Sequence, residues 1–528
     1  MSDDQSQGSS VADVFFDWYH VPTLVLVVAA MLAIRLQSYE NFIRDGSVYY
    51  SGNDAWYHLR EISYTIRNWP FTMPFDPWTN FPYGTSVGQF GTLYDQLIAT
   101  AALVVGLGSP SQELVAKALL VAPAVFGSLV AVPVYAIGKR LAGRMAGLFG
   151  AIVLLLLPGQ FLQRGLVGFA DHNIAEPLFQ GLAVLALMVA VAVAVREKPI
   201  WELVLDRDVD ALRRPLVWSA LAGVAVAVYM WVWPPGVLLV GVFGAYLVYQ
   251  LTSDYVTGGS PEPIAFAGVV SMGVAAVLMF LQLDTMSFSP VDFSLIQPLI
   301  ALAVAAGAGF MAGLARLFDD RNVDRRYYPV VVVGLIAAAL GVVAIVLPGL
   351  FGTIRGNILR IIGFSAGAAT RTIAEAQPYL SPSILQRNAM TATDRILSDY
   401  GFTLFTGVAG VIWLLAKPLV RDGETERVGY AVGSLALIGL LFLVPGPFRA
   451  LADALGVVSE LVGISLVALI LFGAVLQTNY DAEKLLFVVW AAFITSAAFT
   501  QVRFNYYLAP VVAIANAYLL GQVITYLD

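Results

Sequence analysis

Four short segments of this chain gather residue types that do chemistry, each setting acids, imidazoles or arginines among aromatic or apolar neighbours. The first reads Gly52-Asn53-Asp54-Ala55-Trp56-Tyr57-His58-Leu59-Arg60. The second reads Gln163-Arg164-Gly165-Leu166-Val167-Gly168-Phe169-Ala170-Asp171-His172-Asn173-Ile174-Ala175-Glu176. The third is Arg371-Thr372-Ile373-Ala374-Glu375, and the fourth is Gln501-Val502-Arg503-Phe504-Asn505-Tyr506-Tyr507. Carboxylates and arginines gathered at a lipid interface form an oxygen-rich site for a hard divalent cation beside donors for phosphate oxygens. Such a site suits a lipid-linked, phosphorylated substrate, because a metal there orients the acids and neutralises charge building on a phosphate leaving group. Taken singly, each residue has a plainer reading. Asp171 and Glu176 favour a helix start, His58 and His172 are interfacial hydrogen-bonding groups, Arg164 and Arg503 snorkel to headgroups, and Glu375 is a solvated loop acid. Convergence on one face separates the two readings, since independent structural residues have no reason to show it.

The elements that must position these residues are membrane spans. Of 528 residues, 59% are hydrophobic and 12% are charged, about half the charged fraction of a soluble domain. Long apolar runs fall near 21–36, 113–137, 142–159, 174–195, 216–232, 234–251, 262–282, 294–317, 328–350, 399–417, 428–445, 460–477, 482–500 and 503–525. Each run can cross a hydrocarbon core of about 30 Å as a helix. The runs are continuous rather than alternating, which favours helices over barrel strands. The expected fold is therefore all-α, a polytopic transmembrane bundle of about 13–14 spans. Two stretches, 37–112 and 351–397, exceed ordinary helix connections and read as functional loops. Residues 1–20 are polar and acidic with no basic stretch, so they read as a tail before a retained first anchor, not as a cleaved signal. The absence of cysteine excludes disulfides, thiol nucleophiles and Cys-based metal sites. A net charge of −7, with 5 lysines among 29 basic residues, hints at a salt-adapted organism.

Basic residues in the short connections set the expected orientation. Connections on the side of the N-terminus hold Lys139, Arg140, Arg144, Arg196, Lys198, Arg207, Arg213, Arg214, Arg316, Arg321, Arg325, Arg326, Lys417, Arg421, Arg427 and Lys484. The opposite side holds Arg164, Arg449 and Arg503. Sixteen against three places the N-terminus in the cytoplasm and both long loops, with all four chemical segments, on the outer face.

The strings Asn53-Asp54-Ala55-Trp56-Tyr57-His58, Gly168-Phe169-Ala170-Asp171-His172-Asn173-Ile174-Ala175-Glu176, Thr372-Ile373-Ala374-Glu375 and Val502-Arg503-Phe504-Asn505-Tyr506-Tyr507-Leu508-Ala509-Pro510 carry a resemblance that covers essentially the whole chain. In this order, on these loops, they resemble oligosaccharyltransferase catalytic subunits of the archaeal AglB type, which have a GT-C-type membrane body. The resemblance implies a single-subunit enzyme of the cell membrane that acts on no nucleic acid. It implies transfer of a glycan from a dolichyl phosphate or pyrophosphate carrier to the Asn side-chain amide of an Asn-X-Ser/Thr sequon. An amide nitrogen is a poor nucleophile because resonance delocalises its lone pair. Two carboxylates accepting its N–H bonds orient it and weaken that conjugation, and Asp54 and Glu375 match the residues given this role. By the same resemblance Asp54 and Asp171 bind Mn²⁺ or Mg²⁺, Arg164 organises the site, Arg503 holds the carrier phosphate, and reaction inverts the anomeric carbon. His58 and Glu176 are expected to support these groups.

Two departures from that pattern follow. The family's second metal position, two residues beyond Asp171, is usually Glu or His, but here it is Asn173. A neutral amide oxygen supplies no charge, so Asn173, the neighbouring His172 or a water completes the expected ligand set. Family members also continue into a further span and an outer soluble domain whose Trp-Trp-Asp motif reads the sequon. Asp399-Tyr400-Gly401 is not that motif. Residues 21–528 are thus expected to be the transmembrane catalytic portion, inactive or nearly so by itself. Two competing readings are a polyprenyl-phosphate-sugar glycosyltransferase acting on hydroxyl or lipid acceptors, and a secondary transporter. The transporter predicts mid-membrane ionisable residues and internal repeats, and the sequence shows neither.

Overall fold

The computed structural model describes residues 18–196, 200–284, 286–289, 292–362 and 374–527. Most of the expected N-terminal tail, and Arg371, Thr372 and Ile373 of the third segment, lie outside the described residues. Among those described, ten helices are long and apolar enough to cross a membrane: Gln112–Ala142, His172–Arg196, Val209–Val232, Pro234–Val256, Glu262–Leu281, Ile296–Asp320, Arg325–Val346, Thr403–Val420, Ala482–Thr500 and Val502–Leu527. Thr425–Leu441 and Gly446–Leu455 form a further apolar pair, bent by 82°. The chain is a multi-pass helical membrane protein. The remaining expected spans fall on shorter apolar helices, His20–Leu36, Arg144–Leu156 and Leu461–Val475. The helix beginning at Gln112 runs on to Ala142, where Gly143, at φ +93°, ends it and leaves the next helix short.

The first long stretch outside the expected spans is structured rather than a simple loop. It holds two small antiparallel hairpins, Ile43–Arg44 with Ser47–Val48 and Phe75–Asp76 with Thr85–Ser86. Between and after them come an amphipathic helix, Asp54–Asn68, and an apolar one, Leu93–Val105. Thirteen residues rise about 20 Å as a helix, too little for a crossing. Leu93–Val105 packs on Asp54–Asn68 instead. Asp54 opens its helix, where an acid is favourable against the exposed backbone N–H groups. His58, Glu61, Ile62 and Thr65 follow along its buried face.

At the centre of the bundle stands the helix Asn505–Leu527, buried continuously from Asn505 to Tyr518. It packs against Ala131–Ala142, Arg144–Leu156 and Thr403–Val420. Small residues permit the approach: a Cβ on Gly138 or Gly150 would come within 3.1 or 3.0 Å of Ala517 Cβ.

Backbone hydrogen bonds draw the chemical segments together. Val167 N–H donates to Arg35 O (3.1 Å), Gly168 N–H to Leu120 O (3.0 Å), and Ser51 N–H to Gly168 O (2.9 Å). The loop before Asp171 is thereby fastened to the first span and to the turn before Asp54. Gly168 is required there: its φ is +90°, and a Cβ would lie 2.3 Å from the Phe42 ring. The third and fourth segments are joined in the same manner, by Val502 N–H to Gln377 O (2.9 Å) and Tyr379 N–H to Phe499 O (3.1 Å).

Candidate active site

The second segment supplies the centre. Asp171 is buried in extended backbone, and one 3₁₀ turn, His172–Ile174, leads into the helix Ala175–Arg196. Its Oδ1 lies 2.8 Å from His172 Nδ1 and 3.5 Å from His58 Nε2, and the two imidazole nitrogens are 3.5 Å apart. Oδ1 is nevertheless buried without a hydrogen bond of good alignment. All three donor atoms lie within 4.8 Å of one another, the one such group of His and acid residues among the described residues. Around an ion held at about 2.1 Å, neighbouring ligand atoms sit about 3.0–3.5 Å apart, so this trio fits a divalent cation.

Buried carboxylates fix both rings. His58 Nδ1 donates to Asp95 Oδ1 (2.8 Å), and Asp95 is 1% exposed. His172 Nε2 lies 3.3 Å from Glu176 Oε1, while Glu176 Oε2 accepts from the hydroxyls of Tyr506 (2.9 Å) and Tyr507. Burial would discharge His58, but Asp95 and Asp171 carry its pKa up to about 10. Burial likewise opposes the charge of Asp171, yet His172 and His58 outweigh it and hold the carboxyl well below its usual range. Asn173 is placed beside the centre, but its amide oxygen shares the one Tyr506 hydroxyl proton with Glu176, at 2.9 Å each, and its amide nitrogen faces Asp171 Oδ2. The one atom it offers a cation is thus turned away.

Asp54 is exposed and stands outside the close trio. It remains in the same electrostatic neighbourhood. Burial of its carboxyl group, Asp171 and Glu375 raise its pKa above the usual range, and His58 and His172 oppose that rise. Glu375 is ion-paired with Arg164, whose guanidinium lies 4.6 Å over the Phe169 ring. Arg503 is half-buried, 5.1 Å over Phe504, with Nε buried and unbonded and no ion pair among the described residues. All four segments therefore meet at one end of the bundle. The plainer reading, in which each acid or arginine serves its own element alone, fails for Arg164, Glu375, Asp171 and His58. By contrast Asp399 is held by Arg395 (2.9 Å) and Tyr379 (2.8 Å), a structural arrangement.

The sequence profile described as "Oligosaccharyl transferase STT3, N-terminal" matches residues 23–370. The chain belongs to the STT3 family. It is 61% identical over 523 residues to the dolichyl-monophosphooligosaccharide–protein glycotransferase AglB of Haloferax volcanii, covering 99% of this chain and 50% of that protein. The fold is similar to the Archaeoglobus fulgidus oligosaccharyltransferase AglB in complex with an inhibitory peptide and a dolichol-phosphate, with TM-score 0.75 and 22% identity over 97% of this chain and 51% of the other. The same fold was solved as a complex with Zn and sulfate, with TM-score 0.66 and 21% identity over 96% and 49% of the two chains. This STT3 chain spans about half the length of the curated relatives it matches. Among its site groups, Asp95 and the hydroxyls of Tyr506 and Tyr507 escape sequence reasoning. Asp95 reads as an ordinary first-turn acid of Leu93–Val105, and its partner His58 is 37 residues away.

Proposed function

We propose that this protein transfers a glycan from a dolichyl phosphate or pyrophosphate carrier to the side-chain amide of Asn in an Asn-X-Ser/Thr sequon, at the outer membrane surface. The carrying observation is the convergence of Asp54, Asp171 and His58 with the Arg164–Glu375 pair and the free Arg503 at one end of the bundle. Membership in the STT3 family supports the reaction class, and the solved relative's dolichol-phosphate and peptide support the substrates. The sixteen-to-three distribution of basic residues supports an N-terminus in the cytoplasm and an outward site. Residues 21–528 act in this reading as the transmembrane catalytic domain.

Asp171 and His172, with Asp54, would hold a divalent cation, which when bound offsets negative charge on the departing phosphate. Asp54 and Glu375 accept the two amide N–H bonds of the acceptor and turn its nitrogen lone pair toward the anomeric carbon. Arg164 fixes Glu375 in place by its ion pair. Arg503 donates to the carrier phosphate, for which its buried, unbonded Nε is already desolvated. The C1–N bond forms as the C1–O bond to phosphate breaks from the opposite side. The phosphate departs with the bonding pair, and the amide proton passes to a carboxylate. The configuration at C1 inverts with no sugar–protein bond.

The test uses cells lacking their own oligosaccharyltransferase and a secreted reporter with one sequon. Restoration by the full-length natural gene that encodes this chain, loss with Glu375→Gln in it and no modification of a reporter whose sequon Asn is Gln support the reading. Glycan found only on Ser or Thr hydroxyls, or on lipid, would overturn it.

A further inference from the structure

The trio around Asp171 includes a residue that the proposed ligand set does not need. His58 comes from a different segment, its ring is 4% exposed, and it is held on several sides. Asp95 fixes Nδ1 at 2.8 Å, the Tyr94 ring packs edge-on at 5.1 Å, and Nε2 is left facing Asp171 Oδ1 and His172 Nδ1 at 3.5 Å each. A carboxylate that accepts the N–H of one imidazole nitrogen holds the proton on that nitrogen, so that a cation displaces the proton of the other, and it fixes the plane in which that other nitrogen points. Burying Asp95 is itself unfavourable, and its second oxygen has no partner, so its place is explained by what it does to His58. Meanwhile Asn173, at the position where a charged or imidazole ligand is expected, turns its oxygen to Tyr506.

We propose that His58, oriented by Asp95, is a nitrogen ligand of the divalent-cation centre in place of Asn173. The inference rests on the reading that the Asp171 cluster binds a divalent cation. Asp95 is a positioning residue: it reaches the ion only through the ring.

The chain has three histidines, and the third, His20, lies at the start of the first helix, stacked on Tyr135 at 6.0 Å. Nitrogen signals can therefore be assigned with few variants. The protein is purified on a tag without histidine, loaded with Mn²⁺ alone, and studied by electron spin-echo envelope modulation, with Mn²⁺ affinity measured by titration. Wild type is expected to show ¹⁴N coupling that changes to the ¹⁵N pattern with labelled histidine. His58→Gln should remove the His58 contribution and weaken Mn²⁺ at least tenfold. Asp95→Asn should retain coupling but weaken Mn²⁺ by about 10–100-fold. Labelled wild-type protein gives the ligand nitrogens even if a variant misfolds. Mn²⁺ binding with no histidine coupling, or with coupling unchanged in His58→Gln and abolished in His172→Gln, overturns the inference and leaves the cation centre standing. No Mn²⁺ binding sensitive to Asp171→Asn overturns both.

Discussion

Replacing Glu61 by Gln should stabilise the protein near neutral pH, because Glu61 is an acid buried on the site-bearing helix, where burial and two neighbouring carboxylates outweigh the pull of His58 on its charge. It is 0% exposed, and neither carboxylate oxygen makes a hydrogen bond of good geometry. Burial first, then Asp95 and Asp76, push its pKa up to about 8, from 4.5 when unfolded. The folded protein thus binds a proton that the unfolded chain gives up. Stability from this group is whole below pH 4.5, falls as pH rises, and is flat above about 8. From pH 4.5 to 7 the loss is 2.5 units at about 1.4 kcal/mol each, or about 3 kcal/mol. Glutamine keeps the shape and cannot ionise. Thermal unfolding in detergent, followed by intrinsic fluorescence from pH 5 to 8.5, should show the variant level with wild type at the acid end and clearly higher at pH 8. Groups that do not interact with Glu61 cancel in the difference. Parallel curves across that range would refute the argument.

Three further outcomes follow from the same structure. Burial opposes ionisation of Asp76, but hydrogen bonds from Arg60, Thr79 and the Trp78 N–H prevail and hold its pKa at about 2, against 3.8 unfolded. Its stabilising effect, about 2 kcal/mol, is present above pH 3.8 and lost as pH falls through 2; Asp76→Asn should lower the unfolding temperature at pH 7 and flatten the acid limb. Arg503→Ala should weaken binding of dolichyl phosphate by at least tenfold, measured with the purified protein in nanodiscs, while Arg449→Ala on the same expected side leaves it unchanged. Gly168→Ala combines a positive φ with a clash against Phe42 and should cost more than about 1 kcal/mol, read as a fall in unfolding temperature.

The sequence made the membrane body and the four chemical segments legible for local reasons. Apolar runs announce helices, and an acid or arginine beside such a run announces itself by contrast. Contact between segments was reachable only through topology, as with Arg164 and Glu375, 211 residues apart. What stayed hidden depends on three-dimensional partners. Asp95 carries no local mark because its meaning lies in His58. Asn173 bears the right oxygen in the right segment, and only the Tyr506 hydroxyl shows which way that oxygen points. Leu93–Val105 lies within the stretch 37–112 that the sequence marks as loop, since its apolar run is too short for a span, and its burial against Asp54–Asn68 is a tertiary fact.

The placement of Asn505–Leu527 at the middle of the bundle bears on biosynthesis. A ribosome feeding this chain into a membrane delivers Asp54, His58 and Asp171 hundreds of residues before Tyr506 and Tyr507, whose hydroxyls hold Glu176 and through it His172. The helix that carries them must enter between Ala131–Ala142, Arg144–Leu156 and Thr403–Val420, which have already been inserted. Until it does, the early acids and imidazoles lack their final supports. The nascent protein therefore cannot give this cluster its final hydrogen bonds until Asn505–Leu527 has joined the helices made before it.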